Sequence, residues 1–225
     1  QDRVEARPAA PPVAFPLDQL LVLHTLAEQD GRGDRVGVER VGHRLRVRVL
    51  AFVQDRRVRP QSADVLVLPG VGAFPAAMSA LHQHGLASYL CELARQGKPF
   101  IGLCLGMQLL ADESLEHGST AGLGLIPGTV RPLSGMDWHI GWNSLETVQP
   151  DPLIAKSDGE SFYFNHSYVF DVPMPYQAAV SRAQGASFTV AVRRGNVVGL
   201  QFHPEKSQAA GKQLLSRLVE GLDRA

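Results

Sequence analysis

The sequence predicts an α/β protein whose central, mostly parallel β-sheet is flanked by helices and accompanied by a small antiparallel β section. Three observations predict this class. Two apolar segments of strand length, residues 65–68 and 99–103, are each followed by a glycine-containing turn and a helical pattern. Strand and helix alternate early in the chain, which favours parallel strands with helices on both faces. From residue 122 onward, strand-and-turn segments predict the antiparallel part.

The individual elements follow from periodicity. Apolar residues repeated every three or four positions predict helices at residues 75–84, 86–96, 105–114 and 208–222. Gly85 and Gly97 directly follow the first two, where glycine commonly ends a helix. Apolar or alternating runs predict strands at residues 20–23, 44–52, 65–68, 99–103, 161–170 and 196–203.

The N-terminal part differs from the rest of the chain in composition. None of the four lysines lies within residues 1–62, where arginine is used instead. Residues 1–19 are rich in proline and alanine without periodicity, which predicts a disordered leader. We expect one domain over residues 20–225, with residues 20–62 atypical for it.

The first strand of that domain is expected at Leu20–Leu23. This is the one apolar run before residue 39 that is long enough to be a strand. We predict that it pairs into the sheet beside Val65–Leu68.

Charge and cysteine content exclude several classes of protein. The 225 residues carry a formal net charge of zero, so no bulk attraction to nucleic acid or to an anionic membrane is expected. We also expect no membrane-spanning helix and no signal peptide. The only cysteines are Cys91 and Cys104, which argues against a disulfide scaffold and favours a cytoplasmic location. Cys91 lies within a helical pattern and is expected to be a buried, inert thiol.

Cys104 stands between Gly102 and Gly106, after an apolar strand pattern and before a helical one. Gly-x-Cys-x-Gly in this position is typical of a nucleophile elbow. The glycines allow a tight turn that presents the thiol above the sheet edge, and the helix start directs N–H groups at a developing oxyanion. The pattern alone fits a small buried cysteine equally well, so its context decides.

The sequence His203-Pro204-Glu205 follows an apolar strand pattern near the C-terminus. A thiol nucleophile needs a base, and the base needs an orienting group. In an extended segment, His203 and Glu205 project to the same side. Glu205 could then accept from one imidazole nitrogen and leave the other facing Cys104, as in a Cys-His-acid triad.

These residues resemble the class I glutamine amidotransferases, whose nucleophile turn reads Gly-x-Cys-x-Gly-x-Gln and whose closing motif is His-Pro-Glu. Within that family, the chain is most similar to the glutaminase subunits of imidazole glycerol phosphate synthases, which act in histidine biosynthesis. Six motifs in the family's order carry this resemblance: LPGVGAF at 68–74, GLCLGMQLL at 102–110, GLGLIPG at 122–128, HIGWN at 139–143, HSY at 166–168 and QFHPEKSQ at 201–208.

The resemblance implies the class I glutamine amidotransferase fold, with L-glutamine as substrate and with no metal or cofactor. It implies that Cys104 is the nucleophile, His203 the general base and acid, and Glu205 its orienting partner. The implied oxyanion hole consists of backbone groups of Gly70, Val71, Gly72 and Leu105. By itself, the PGVG sequence at 69–72 would be an ordinary turn at the end of a strand.

The resemblance also implies a substrate site and a docking face. The residues expected near the amino-acid end of glutamine are Gln108, Glu116, Ser167 and Tyr168. The residues expected at the interface with a cyclase subunit, in a heterodimer, are Trp142, Asn143, Tyr163 and Lys206. Three alternatives stay open from the residues alone: Glu116 as a solvated loop acid, Trp142 as a core residue, and His166 in a packing or a catalytic role.

The implied function is hydrolysis of glutamine to glutamate and ammonia through a Cys104 thioester. The ammonia would pass to a cyclase that makes imidazole glycerol phosphate and an aminoimidazole carboxamide ribonucleotide. Two alternatives remain. One is a glutaminase subunit of another amidotransferase, such as those of vitamin B6 or guanine nucleotide synthesis. The other is a partner-binding subunit with impaired catalysis.

The N-terminal part departs from the family pattern. The family begins with a strand and an Asp-Tyr-Gly-x-Gly-Asn loop, and that loop is missing here. Residues 39–47 resemble the end of the family's first helix and its second strand. This departure concerns partner docking and the first strand, and it leaves the triad motifs intact.

Overall fold

The computed structural model describes residues 36–40, 43–49 and 64–222, the first two ranges by their backbone alone. The helices are α1 (Phe74–Gln83), α2 (Leu86–Arg95), α3 (Leu105–Gln108) and α4 (Gln208–Leu222). The strands are β1 (Val36–Arg40), β2 (His43–Val49), β3 (Val65–Gly70), β4 (Phe100–Cys104), β5 (Glu113–Ser114), β6 (Thr120–Ala121), β7 (Thr129–Pro132), β8 (His139–Ser144), β9 (Glu146–Thr147), β10 (Ser161–His166), β11 (Tyr168–Asp171), β12 (Gln177–Ala183), β13 (Ala186–Arg194) and β14 (Val197–Leu200).

The largest sheet has eight described strands in the order β1-β2-β3-β4-β14-β13-β12-β9. Neighbours are parallel from β2 through β3 and β4 to β14, and antiparallel elsewhere. The sheet is therefore mixed, and the prediction of a mostly parallel sheet holds only for its centre. The reason is that β12, β13 and β14 are joined by connections of two residues, which permit only antiparallel neighbours.

Helices cover both faces of this sheet, as predicted. Leu66 and Leu68 of β3 face one apolar core together with residues of α1 and α2. Val65 and Val67 face a second core that includes the buried stripe of α4. The continuous apolar character of β3 thus reflects burial on both sides, as is typical of parallel strands.

Two smaller sheets form the predicted antiparallel section. One has the strand order β11-β7-β5-β6, in which only the pair of β5 and β7 is parallel, and the other pairs β10 with β8. The strand pattern predicted over residues 161–170 is divided at Ser167 into β10 and β11, which join different sheets. None of the helices in the described part of the chain is long and apolar enough for a bilayer crossing.

The helix predicted over residues 105–114 is wrong in length, because α3 ends at Gln108. The next carbonyl groups bond to a loop instead of continuing the helix. The carbonyls of Leu109, Leu110 and Ala111 accept hydrogen bonds from the backbone N–H groups of residues 123–126. These three side chains are fully buried, so they produced a helical pattern without forming a helix.

The structure corrects the prediction for the N-terminal part. β2 confirms the strand predicted near residues 44–52, but β1 is a strand where the end of a helix was expected. In the described part of the sheet, β3 lies between β2 and β4. Strands that follow one another in sequence commonly become neighbours, and β2 and β3 do so here. Residues 1–35, including Leu20–Leu23, lie outside the described residues.

Candidate active site

Cys104 ends β4 and directly precedes α3, with a strained backbone at φ 52° and ψ −112°. The two flanking glycines leave no room for a side chain. A Cβ at Gly102 would lie 2.5 Å from the carbonyl oxygen of Gly106, and a Cβ at Gly106 would lie 1.8 Å from that of Leu68. The turn therefore needs glycine on both sides of the cysteine, as the elbow pattern predicts.

His203 is buried and has one ring nitrogen engaged by an acid. Its Nδ1 lies 2.7 Å from Oε1 of Glu205, and its side chain also contacts Cys104. The expected extended segment is wrong, because residues 204–206 form a 3₁₀ turn. That turn brings Glu205 back against His203, so the predicted pair forms by a different backbone route.

The pKa of His203 is raised to about 10. Burial acts to lower this pKa, but the hydrogen bonds and negative charges of Cys104 and Glu205 outweigh burial. At neutral pH the imidazole is therefore protonated beside the sulfur. It is poised to give a proton to a leaving group and to take one from water later.

Strand β10 and helix α4 hold the backbone at His203 in place. The N–H of His203 donates to the carbonyl of Tyr163 at 2.8 Å, and Ser207 Oγ donates to the carbonyl of His203 at 2.6 Å. A Cβ at Gly211 would lie 1.9 Å from the carbonyl oxygen of Pro204, so α4 packs closely on this turn. These contacts orient the imidazole before any substrate arrives.

The PGVG turn, residues 69–72, lies directly beside the elbow. Gly70 is paired with Cys104 in the β3–β4 register, and a Cβ at Gly70 would lie 3.0 Å from Cβ of Leu105. Val71 and Gly72 are exposed, and Gly72 has φ +101°. The four positions predicted for the oxyanion hole are thus adjacent at one edge of the sheet.

Gln108 and Glu116 are both buried. Gln108 Nε2 donates to the carbonyl of Tyr168 at 3.2 Å. The Glu116 carboxylate is buried and accepts the N–H of Phe74 at 2.7 Å, at the first residue of α1. The alternative of a solvated loop acid is therefore wrong. Burial and the Glu116 charge raise the pKa of Tyr168.

Ser167 lies between β10 and β11, where the chain changes sheets. Its carbonyl accepts the N–H of Leu133 at 3.0 Å, which ties the segment to the end of β7. The backbone of residues 167–168 is held in this way beside Gln108. This is the position that the resemblance implies for backbone contacts to the substrate.

Three of the four predicted docking residues form one surface cluster. Trp142 and Tyr163 are partners in the β8–β10 register, with ring centroids 6.1 Å apart, and Lys206 Nζ lies 5.8 Å from the Tyr163 centroid. The side chain of Trp142 is half exposed, so the alternative of a core residue is wrong. Asn143 instead faces the other side of β8, where its Nδ2 donates to the carbonyl of Arg182 at 2.9 Å.

Several residues near the site were not predicted from the sequence. Gln201 is fully buried and its Nε2 lies 3.9 Å from Cys104 Sγ. His139 is buried, and its Nδ1 lies 3.0 Å from Nε2 of the buried His166. Trp138 and Ile140 are exposed near Trp142. The alternation of β8 could have identified His139 and Ile140, whereas Gln201 stood within the QFHPEKSQ motif without a predicted role.

Known proteins match this chain over the same region. The class-I glutamine amidotransferase family matches residues 38–220. A Streptococcus gordonii protein named imidazole glycerol phosphate synthase subunit HisH is 48% identical over 163 residues, 71% of this chain and 78% of that protein. A protein of the same name from Acaryochloris marina is 44% identical over 176 residues, 75% of this chain and 82% of that protein.

Solved structures agree in fold. A glutamine amidotransferase from Thermotoga maritima has a TM-score of 0.58 at 18% identity, covering 76% of this chain and 83% of that chain. A second glutamine amidotransferase structure has a TM-score of 0.56 at 21% identity, covering 73% and 82%. At these sequence identities, the structural neighbours show similarity of fold alone. Together with the family match and the sequence relatives, they lead to one conclusion: the chain belongs to the class-I glutamine amidotransferase family.

Proposed function

We propose that this chain is the glutaminase subunit of an imidazole glycerol phosphate synthase. It hydrolyses L-glutamine to glutamate and ammonia, and it passes the ammonia to a cyclase subunit in a heterodimer. The cyclase then makes imidazole glycerol phosphate and an aminoimidazole carboxamide ribonucleotide. The relatives that are 44% and 48% identical carry the synthase name, which supports this assignment. A cytoplasmic location agrees with it.

The single observation that carries the proposal is the grouping of Cys104, His203 and Glu205. The Cys104 sulfur attacks the side-chain amide carbon of glutamine, and the carbonyl electrons move to oxygen. Backbone N–H groups of Leu105 and of the PGVG turn stabilise this oxyanion. As the intermediate collapses, the C–N bond breaks and His203 gives its proton to the departing ammonia.

The second half of the reaction hydrolyses the thioester. Water attacks the thioester carbon while neutral His203 accepts one of its protons, and Glu205 stabilises the imidazolium that forms. Collapse of this second intermediate breaks the C–S bond and releases glutamate. The sulfur and protonated His203 are then restored. Gln108, Glu116 and the backbone at Ser167 and Tyr168 hold the amino-acid end of glutamine.

The docking cluster of Trp142, Tyr163 and Lys206 would contact the cyclase at the mouth of the ammonia route. Its position supports this role, because the rings of Tyr163 and His203 lie 6.5 Å apart. Ammonia released at Cys104 would then leave beside the partner. Asn143 would contribute to this interface from the inner face of β8, the strand that carries Trp142.

The two alternatives receive less support. A glutaminase subunit of another amidotransferase would share the fold, but the relatives that are 44% and 48% identical carry the synthase name. A binding subunit with impaired catalysis would not need an acid 2.7 Å from the histidine.

The test is a glutaminase assay on the full chain, with and without the cyclase subunit from the same organism. We expect slow release of glutamate from the chain alone and faster release when the cyclase is loaded with its ribonucleotide substrate. Cys104→Ala is the control for contaminating activity. Glutamine turnover that never depends on the cyclase would contradict the assignment to this synthase, and turnover that survives in the variant would contradict the triad.

A further inference from the structure

Strand β8 has two chemically different faces. Ile140 and Trp142 are exposed on the outer face, which carries the docking cluster. His139 and Asn143 lie on the inner face, where His139 is buried. The inner side chains are polar, and a buried polar group normally has a hydrogen-bond partner. Following these partners leads away from the docking face and toward the nucleophile.

The first part of this path runs from β8 to the substrate side. His166 Nδ1 lies 2.9 Å from the carbonyl of Tyr168, which can only accept, so Nδ1 carries the proton. His166 Nε2 then accepts from His139 Nδ1 at 3.0 Å. His139 Nε2 in turn accepts from Asn143 Nδ2 at 3.3 Å. One tautomer of each histidine satisfies all three contacts.

The second part continues from the same carbonyl to the sulfur. Tyr168 O also accepts from Gln108 Nε2, at 3.2 Å. Gln108 Nε2 donates in addition to Gln201 Oε1 at 3.1 Å. Gln201 Nε2 lies 3.9 Å from Cys104 Sγ and points a donor at it. Gln201 is fully buried, so both ends of its amide are used inside the protein.

The two histidines of the path are uncharged at neutral pH. Burial lowers the pKa of His139, and burial together with the neighbouring histidines lowers the pKa of His166 to about 4. The contacts that these histidines make are therefore directional hydrogen bonds between neutral groups, in a setting where an unsatisfied partner would be costly.

We propose that Asn143, His139, His166 and Gln201 are positioning residues that connect the docking strand to Cys104 through this chain of hydrogen bonds. The inference rests on the proposed function and adds the route by which docking on β8 reaches the nucleophile. Among the described strands, β8 pairs with β10 alone, in a two-stranded sheet. A partner that contacts the outer face of β8 favours one position of His139. The hydrogen bonds then favour matching positions of Tyr168, Gln108 and the sulfur.

The competing explanation is aromatic packing. His139 and His166 both contact Phe188, with ring centroids 5.1 Å and 5.5 Å away. A purely structural pair of histidines would tolerate replacement by another aromatic ring, and a packing change at Phe188 would disturb the site equally. The two explanations therefore predict different orders of effect among substitutions.

The experiment compares three variants of the full chain with wild type: His139→Phe, His139→Asn and Phe188→Leu. His139→Phe keeps a ring and removes the hydrogen bonds, whereas His139→Asn keeps a donor near the Nδ1 position. Glutaminase kcat and KM are measured with and without the cyclase, and the Kd of the complex is measured separately. We expect His139→Phe to lower the stimulation of kcat by the cyclase about five- to tenfold at nearly unchanged Kd.

The other variants decide between the explanations. We expect His139→Asn to recover most of the stimulation and Phe188→Leu to leave it near the wild-type ratio. A wild-type ratio in His139→Phe, or an equal loss in Phe188→Leu, would overturn the proposal. If His139→Phe does not fold, Gln201→Met makes the same test. The proposal then requires that iodoacetamide alkylates Cys104 more slowly in the complex of Gln201→Met with the cyclase than in the wild-type complex. An unchanged alkylation rate would overturn it.

Failure of the proposed function is distinguishable from failure of this inference. If wild type with the cyclase releases no glutamate, the glutaminase assignment itself is wrong. If wild type responds to the cyclase and the His139 variants respond equally, only the hydrogen-bond route is wrong.

Discussion

The elbow at Cys104 and the PGVG turn end neighbouring parallel strands, yet their surroundings differ. A Cβ at Gly106 would lie 1.8 Å from a backbone oxygen of β3. At Gly72, by contrast, no atom of the described residues lies within 4 Å of an added Cβ. Val71 beside it is exposed. The elbow half of the site is thus packed closely against backbone, whereas the PGVG half has no such contact with the described residues.

This difference separates two tasks. The nucleophile needs a single position, and close backbone packing provides it even at the cost of a strained φ at Cys104. In the proposed function, oxyanion donors from the PGVG turn are needed only when an intermediate forms. A glycine-rich turn with few neighbours can adopt more than one arrangement, and a partner can shift that balance. We therefore propose that the closely packed half sets the chemistry and that the open half is the place for control.

The largest expected effect lies in the closely packed half. Cys104→Ala removes the sulfur, and we expect glutamine-dependent turnover to fall by about 10⁴-fold or more. The complex with the cyclase should still form and still use free ammonia, because the surface and the backbone are unchanged. A loss of ammonia-dependent turnover would show that Cys104 also serves the partner.

Substitutions of His203 and Glu205 have the second largest expected effect. His203→Ala removes the group that moves the proton, and we expect kcat/KM to fall by about 10³- to 10⁴-fold. Glu205→Gln keeps a group that can accept from His203 Nδ1 but removes the charge, and we expect a loss of about 10²-fold. Steady-state kinetics in the presence of the cyclase measure both. Equal losses would mean that Glu205 does more than orient the imidazole.

A matched pair of glycine substitutions compares the two turns directly. Gly106→Ala forces a Cβ against the Leu68 carbonyl, and we expect destabilisation by about 3 kcal/mol or more. Gly72→Ala meets no described atom and is opposed only by φ +101°, so we expect a cost of about 1–2 kcal/mol. Denaturant unfolding measures both free energies. A cost for Gly72→Ala equal to that for Gly106→Ala would refute the distinction between the two turns.

Acid should weaken the hydrogen-bond path beside the closely packed half. The pKa of His166 is about 4 in the folded protein, below its ordinary value of 6.5, so the unfolded chain binds a proton that the folded chain does not. The contribution of His166 to the free energy of unfolding is therefore fully present above pH 6.5. It falls by up to about 3 kcal/mol as the pH falls toward 4. Unfolding free energies of wild type and His166→Phe across this range test the prediction. A constant difference between them would contradict it.

The smallest expected effect lies at the exposed position of the open half. Val71→Ala keeps the backbone N–H and removes only part of an exposed side chain. We expect a change in unfolding free energy within about 0.5 kcal/mol. The stimulation of kcat by the cyclase should also stay near the wild-type ratio, because the donors of this turn are backbone groups. A large change in that ratio would place a side-chain contact where we propose only backbone control.

Much of the fold and of the catalytic group could be predicted because their signals are local. The glycines around Cys104, the apolar run of β3 and the stripe of α4 each follow from constraints within a few residues. The helix predicted over residues 105–114 was wrong because buried loop residues can show helical spacing. The order of the strands on either side of β3 depends on pairings between distant segments, which no local pattern indicates.

The sequence by itself determined which residues can do the chemistry, since a thiol in a glycine turn and a histidine followed by an acid need only their own neighbourhood. Only the tertiary structure decided how the remaining polar groups meet. Glu116 is buried at the start of α1, 42 residues away in sequence. Asn143 faces inward from the docking strand, and Gln201 joins Gln108 to the sulfur over separations of 93 and 97 residues. Such contacts depend on where separate strands end in space, and no local pattern encodes that.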